Sequence, residues 1–230
     1  MDAISFYGFC NGKTYSIGSE AESNGLFEFS TESIPDGNFR RIKATLRNCS
    51  DETLVFHRAF VRVTLPPGPW EVFSQYNRWS QEGNGRWAPL NGQGVLLGHR
   101  HGRTTEGNTP FCAVRQIGHN EGIAFHVYPI GNWRIRILPL VQSNTEPAVA
   151  VDLGISDEEL AFPLQPGKQW KLPELLIHHF CNFEESSCEL HRYLLEDPQI
   201  SRRRLPVAFN TWFDRFDNLN VPHLLEDLAA

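Results

Sequence analysis

Two stretches of this sequence set flat aromatic rings beside groups that form strong hydrogen bonds. Near the C-terminal end, Trp212 is followed by Asp214 and Asp217. An indole can lie on the C–H face of a sugar ring while a carboxylate accepts hydrogen bonds from the hydroxyls. The same residues have a plainer reading, in which Trp212 packs beneath the surrounding loops and the aspartates cap or solvate the turn. Earlier in the chain, Trp79 stands in a polar, glycine-rich stretch with Asn77, Arg78, Arg86 and Trp87. That composition predicts a loop, in which Trp79 and Arg78 either wall a binding site or simply anchor the loop.

Other chemistries find little support. His178 and His179 are adjacent, so a strand would send them to opposite faces. His99 and His101 read as strand histidines satisfied by their neighbours, and no metal site is expected. The sequence holds no Gly-Lys-Ser/Thr phosphate loop, no GxGxxG and no Gly-x-Ser-x-Gly elbow, so nucleotide and serine-hydrolase chemistry lapse and no cofactor is expected. A net charge of -6 over 230 residues argues against a nucleic-acid partner, which calls for a basic stripe. The one basic run, Arg202 to Arg204, reads as a solvated joint. No stretch approaches a membrane span and the N-terminus lacks the pattern of a signal peptide, so the expected location is cytoplasmic. Five cysteines at irregular spacing, Cys10, Cys49, Cys112, Cys181 and Cys188, fit reduced thiols.

The elements that must position these residues follow from periodicity. From about Ile4 to His179 apolar and polar residues alternate, the period of a strand with one buried face. Ile42, Ala44 and Leu46 form one such row; Ala59, Val61, Val63 and Leu65 another; Ile123, Phe125 and Val127 a third; Trp133, Ile135 and Ile137 a fourth. Turn clusters separate them: Pro35-Asp36-Gly37-Asn38, Gly83-Asn84-Gly85 and Gln165-Pro166-Gly167-Lys168. The pattern predicts a mainly β, antiparallel two-sheet sandwich over residues 1–180. Residues 181–204 read as a helical linker, with Asn182 as cap and Glu185 completing a capping box. Over 205–230, Leu205-Pro206-Val207-Ala208-Phe209-Asn210 reads as a buried parallel strand, and Val221, Leu224, Leu225 and Leu228 as one face of a helix. A single βα unit cannot bury a parallel strand, which predicts that the sequence is the front of a longer protein.

Several motifs, in order along the chain, resemble glycoside hydrolase family 36, the α-galactosidases that carry a β-sandwich ahead of a (β/α) barrel. Tyr76-Asn77-Arg78-Trp79-Ser80-Gln81-Glu82 is similar to the family's Gly-Asp-Trp-x-x-Glu stretch. His99 to Thr105 with Asn108-Thr109-Pro110-Phe111 resembles its Arg-Gly-x-Ser-Ser and Asn-Pro-Phe segments. Gly131-Asn132-Trp133, Leu164-Gln165-Pro166-Gly167 and Leu172-Pro173-Glu174 have counterparts, and Leu205-Pro206-Val207 with Asn210-Thr211-Trp212 resembles the family's first barrel strand. Phe213-Asp214 replaces the family's usual Glu-Ala, and Asn77-Arg78 its Gly-Asp.

The resemblance implies a retaining hydrolase of terminal α-galactosides, working through two carboxylates about 5 Å apart. In the family both are aspartates on later barrel strands, so the implied nucleophile and acid/base lie beyond residue 230 and this chain alone is expected to be inactive. Trp212, Asp214, Asp217, Trp79 and Arg78 are the implied sugar-binding residues, and homo-oligomer contacts through the sandwich are implied as well. The competing reading is a free-standing carbohydrate-binding or scaffolding β-sandwich.

Overall fold

The computed structural model describes residues 3–18, 25–78, 81–99, 107–128, 131–140 and 148–196, together with Val221, Pro222 and Leu225. The expected barrel strand at 205–210 lies outside the described residues. The chain divides into two compact units, Met1–Cys188 and Glu189–Ala230.

The first unit contains fifteen strands among its described residues: β1 (Ala3–Cys10), β2 (Lys13–Gly18), β3 (Phe27–Asp36), β4 (Phe39–Asn48), β5 (Leu54–Leu65), β6 (Trp70–Arg78), β7 (Gln81–Pro89), β8 (Val95–His99), β9 (Gly107–Gln116), β10 (Gly122–Val127), β11 (Trp133–Leu140), β12 (Ala148–Ile155), β13 (Phe162–Leu164), β14 (Gln169–Lys171) and β15 (Leu175–Phe180). They form two antiparallel sheets. Sheet A runs β2-β1-β5-β12-β11-β8 with β13 beside β5, and sheet B runs β14-β4-β15-β10-β9-β6-β7 with β3 beside β4. The architecture is the expected two-sheet sandwich.

The four alternating rows seen in the sequence supply its interior. Ile42, Leu46, Val61, Val63, Phe125, Trp133, Ile135 and Ile137 are all buried between the sheets. Burying each large apolar side chain stabilises the fold by roughly 1.5–3 kcal/mol. Phenylalanines clasp the two sheets together: Phe6 and Phe56 of sheet A meet Phe27 and Phe29 of sheet B. The Phe6 centroid lies 5.4 Å from Phe27, 5.6 Å from Phe29 and 6.2 Å from Phe56. Position 8 must be glycine for this to work, because a Cβ there would stand 2.2 Å from Phe6 Cζ and 2.6 Å from the Arg58 carbonyl oxygen.

Two of the three expected turn clusters hold turns, whereas Gly83-Asn84-Gly85 lies within β7. Gly37, at φ 60°, lies in the two-residue link between β3 and β4. Gly167, at φ 69°, donates its N–H to the Asn48 carbonyl at 3.0 Å. The fully buried Asn48 side chain donates to the carbonyls of Glu52 (2.7 Å) and Leu164 (2.8 Å), tying the β4–β5 turn to β13.

The outward faces differ from the simple expectation of one polar side per strand. On sheet A, cross-strand register sets Asp152 directly between Arg62 and Arg136. Asp152 is 0% exposed; its Oδ1 accepts from Arg62 Nε at 2.6 Å, and its Oδ2 from Arg62 Nη2 at 2.9 Å and Arg136 Nη2 at 2.7 Å. The Arg62 guanidinium lies 3.7 Å above the Tyr7 ring, and that of Arg136 4.5 Å from the Phe60 ring. Long arginine stems lying flat across the strands keep water from this face, so Phe60 and Ala150 are buried there although they point away from the core. On sheet B the outward residues Ala113, Ala124 and Phe180 form a small apolar cluster beneath Phe73, Trp87, Phe111 and Phe183.

A helix, α1 (Phe183–Glu196), follows the last strand. Asn182 caps it: its Oδ1 accepts from the Glu184 N–H at 3.0 Å, and its carbonyl accepts from the Ser186 N–H at 3.0 Å. Glu184 and Glu185 set negative charge at the positive end of the helix dipole. In the second unit the described residues are the remainder of α1 and Val221, Pro222 and Leu225, which are helical and exposed.

Candidate functional site

One end of the sandwich carries the described residues that flank Trp79, in the first of the two stretches that the sequence marks for binding. The β6–β7 hairpin closes there, with Tyr76 opposite Asn84 and Arg78 opposite Gln81. On its other side β6 pairs with β9, bringing Tyr76 opposite Asn108 and Asn77 opposite Gly107. The ladder shifts register on both sides of Tyr76, and this irregularity bends the hairpin tip out of the plain pleat. Asn77 Oδ1 accepts from the Gly83 N–H at 2.7 Å and braces the tip. Asn108 links the two sheets: its Oδ1 accepts from the Gly98 N–H of β8 at 3.4 Å, and its Nδ2 donates to the Gln75 carbonyl at 3.5 Å. His99, the last residue of β8, pairs with Trp133 at the start of β11 and so comes to the same end.

Of the five residues expected to meet a sugar, Arg78 is the terminal residue of β6 at this hairpin tip. Trp79, Trp212, Asp214 and Asp217 lie outside the described residues. The loop expected around Trp79 is shorter than its composition suggests. Gly83, Gly85, Arg86 and Trp87 belong to β7. Gly85 reads as a turn signal but instead makes room for a ring, since a Cβ there would stand 2.3 Å from Phe73 Cζ. Trp87 packs against Phe73 (5.5 Å) and Phe183 (5.1 Å) with the Arg115 guanidinium 4.0 Å over its ring, an anchoring role.

The histidines divide into structural and exposed groups. His178 is buried with Nδ1 2.8 Å from Ser186 Oγ, joining β15 to the second turn of α1, while its neighbour His179 is exposed on the other face. His126 lies on the outward face of β10 near the rings of Phe111 and Tyr128, and its Nδ1 has no hydrogen-bond partner. Tyr128 in turn accepts a hydrogen bond from Arg41. Burial lowers the His126 pKa from 6.5 to about 4. The unfolded chain therefore binds a proton that the folded chain refuses. Above pH 6.5 the imidazole is neutral in both states and adds no pH-dependent cost, and stability falls as pH drops from there towards 4, by about 3 kcal/mol in all. Urea unfolding at pH 7 and pH 4 should show this loss, and His126→Leu should reduce it by that amount.

All five cysteines are free thiols; burial pushes that of Cys10 up to about 11 and that of Cys112 higher still. Among the described residues no three His, Cys, Asp or Glu side chains are grouped to hold a metal ion, and no helix is long and apolar enough to cross a membrane.

A cleft at the opposite end of sheet B was not legible in the sequence. It has a volume of about 390 Å³ and draws on the starts or ends of β6, β9, β10 and β15, among them Trp70, Gln116, His119, Glu121, His179 and Phe180. No local motif could reveal it, because its lining comes from three separate stretches that meet only through the β6–β9 and β10–β15 pairings.

A β-supersandwich of seven and eight strands with a capped helix after its last strand is the class this architecture defines. No family model and no curated protein matches the sequence. Among solved structures, the chain is similar to α-galactosidases of glycoside hydrolase family 36. It superposes on the galactosidase domain of an α-galactosidase–sucrose kinase with a TM-score of 0.75 at 17% identity, covering 94% of this chain and 30% of that one. For the α-galactosidase of Lactobacillus brevis the TM-score is 0.76 at 15% identity, over 99% of this chain and 36% of the other. A Geobacillus stearothermophilus family 36 α-galactosidase variant in complex with raffinose gives 0.73 at 19% identity, over 97% and 37%. At these identities the likeness is one of fold, and the chain spans about a third of the length of each structure.

Proposed function

We propose that this chain is the N-terminal portion of an α-galactosidase-like, retaining glycoside hydrolase that acts on terminal α-galactosides. The observation that carries the proposal is the near-complete coverage of this chain by three α-galactosidases, one of them holding raffinose, a galactose-containing sugar. In this reading the sandwich scaffolds a barrel, lends loops to the sugar site and carries contacts of a cytoplasmic homo-oligomer. The catalytic carboxylates lie beyond residue 230, and the 230-residue chain alone does not turn over substrate.

Trp212 stacks on the sugar, Asp214 and Asp217 accept hydrogen bonds from its hydroxyls, and Trp79 with Arg78 forms part of the wall. The hairpin geometry supports this last role, since it holds Arg78 at the tip of a braced strand pair. In the longer protein, Trp212→Ala should lower kcat/KM for nitrophenyl α-galactoside by about tenfold or more, the loss of one ring–sugar contact. Unchanged kcat and KM would remove Trp212 from the site.

A further inference from the structure

We infer that the cleft at the β9–β10 end of sheet B is a second, non-catalytic binding site for a small neutral sugar of mono- or disaccharide size. Its volume of about 390 Å³ falls in the range of small-ligand sites. Its floor is apolar: Trp70, Ile123 and Phe180 are each buried to 8% exposure or less. Its rim is polar, formed by the carboxamide of Gln116, the carboxylate of Glu121 and the exposed imidazoles of His119 and His179.

These rim groups are planar, and most present two hydrogen-bonding atoms, as suits neighbouring hydroxyls on a pyranose ring. The apolar floor suits the ring's C–H face. Other ligand classes fit less well. The lining carries neither lysine nor arginine to balance an anion's charge, and Glu121 repels a phosphate or carboxylate. A metal ion lacks a convergent set of three ligands among the described residues.

The site is also built before any ligand arrives. Trp70 Nε1 donates to the Pro66 carbonyl at 2.9 Å and fixes the indole. The Ile117 N–H donates to the Pro69 carbonyl at 2.8 Å, and that of His119 to the Gln116 carbonyl at 3.0 Å. Gly118, at φ 85°, completes the turn that carries His119 and Glu121. The indole and the turn backbone therefore lose little conformational freedom on binding, which favours affinity for a weakly bound sugar. The cleft lies at the opposite end of the β6–β9–β10 ladder from the Arg78 hairpin, so a sugar held here is not in the proposed reaction site.

The inference does not depend on the hydrolase reading, and the test separates them. The 15N-labelled 230-residue chain is titrated with methyl α-galactoside and with melibiose, and its amide shifts are followed. Saturable shifts are expected at His119, Glu121, Gly122 and Cys181, with a Kd of about 1–10 mM. Gln116→Ala and Glu121→Ala, both surface changes, should each weaken binding by about fivefold or more, with the remaining amide spectrum confirming that each variant is folded. No saturable shift up to about 50 mM would overturn the inference. So would binding that neither variant weakens, or shifts confined to the β6–β7 hairpin. None of these results bears on whether the longer protein hydrolyses a galactoside.

Discussion

Asp152→Ala is expected to lower the unfolding free energy by about 3–5 kcal/mol, the cost of stranding buried charge when one partner is removed. The carboxylate is fully buried, and the Arg62 and Arg136 side chains that it holds are only 12% and 13% exposed. Alanine would remove the carboxylate that joins the two guanidinium groups across β12, leaving Arg136, among the described carboxylates, only its 3.9 Å contact with Asp157. Urea unfolding of the two proteins at pH 7 measures the difference. Asp152→Asn should fall between them, because the amide still accepts from one arginine but no longer balances their charge. The larger loss in the alanine variant would show that the outward face of sheet A is held by this ion network and not by solvation of separate charges.

Phe6→Ala should cost a similar amount, about 3–5 kcal/mol, through lost transfer energy and the cavity left behind. Phe6 is 0% exposed, and its ring contacts aromatic residues from both sheets. The cavity would open where the sheets are clasped, so the variant should unfold in a single transition at lower urea concentration, with little change in slope. Phe6→Leu keeps most of the volume and should cost about 1–2 kcal/mol. Equal losses from both substitutions would mean that ring geometry, and not cavity volume, decides the cost.

Much of the fold could be read from the sequence because its signal is local. Alternation at Ile42–Leu46 and Trp133–Ile137 requires only that neighbouring residues point to opposite faces, and the structure buries the expected side of each. The helix cap at Asn182 and the turn at Gly167 are likewise matters of a few adjacent residues. What the sequence could not show depends on pairing across distance. Phe60 and Asp152 lie on the side of their strands that faces away from the core, and they become buried only because register brings arginines from β5 and β11 over them. Gly83 and Gly85 read as a turn, yet Phe73, from the strand opposite, takes the space that Gly85 leaves open.

The site divides in the same way. The stretch around Arg78 could be singled out by composition, whereas the cleft at Gln116 and Glu121 exists only after three segments are paired. Family-like motifs pointed to the architecture that the solved α-galactosidases share with this chain. That architecture supplies a rigid sandwich with braced loops at both ends of sheet B. Hydrolysis needs a pair of carboxylates, which the proposed function assigns to a further domain.

The most direct measurement compares two purified proteins on nitrophenyl α-galactoside: the 230-residue chain and the polypeptide that continues past Ala230 through the proposed barrel. Nitrophenol release by the longer protein is expected, with the 230-residue chain no faster than a contaminant control. Turnover by the short chain above that control, or failure of the longer protein to hydrolyse any α-galactoside, would contradict the proposed function.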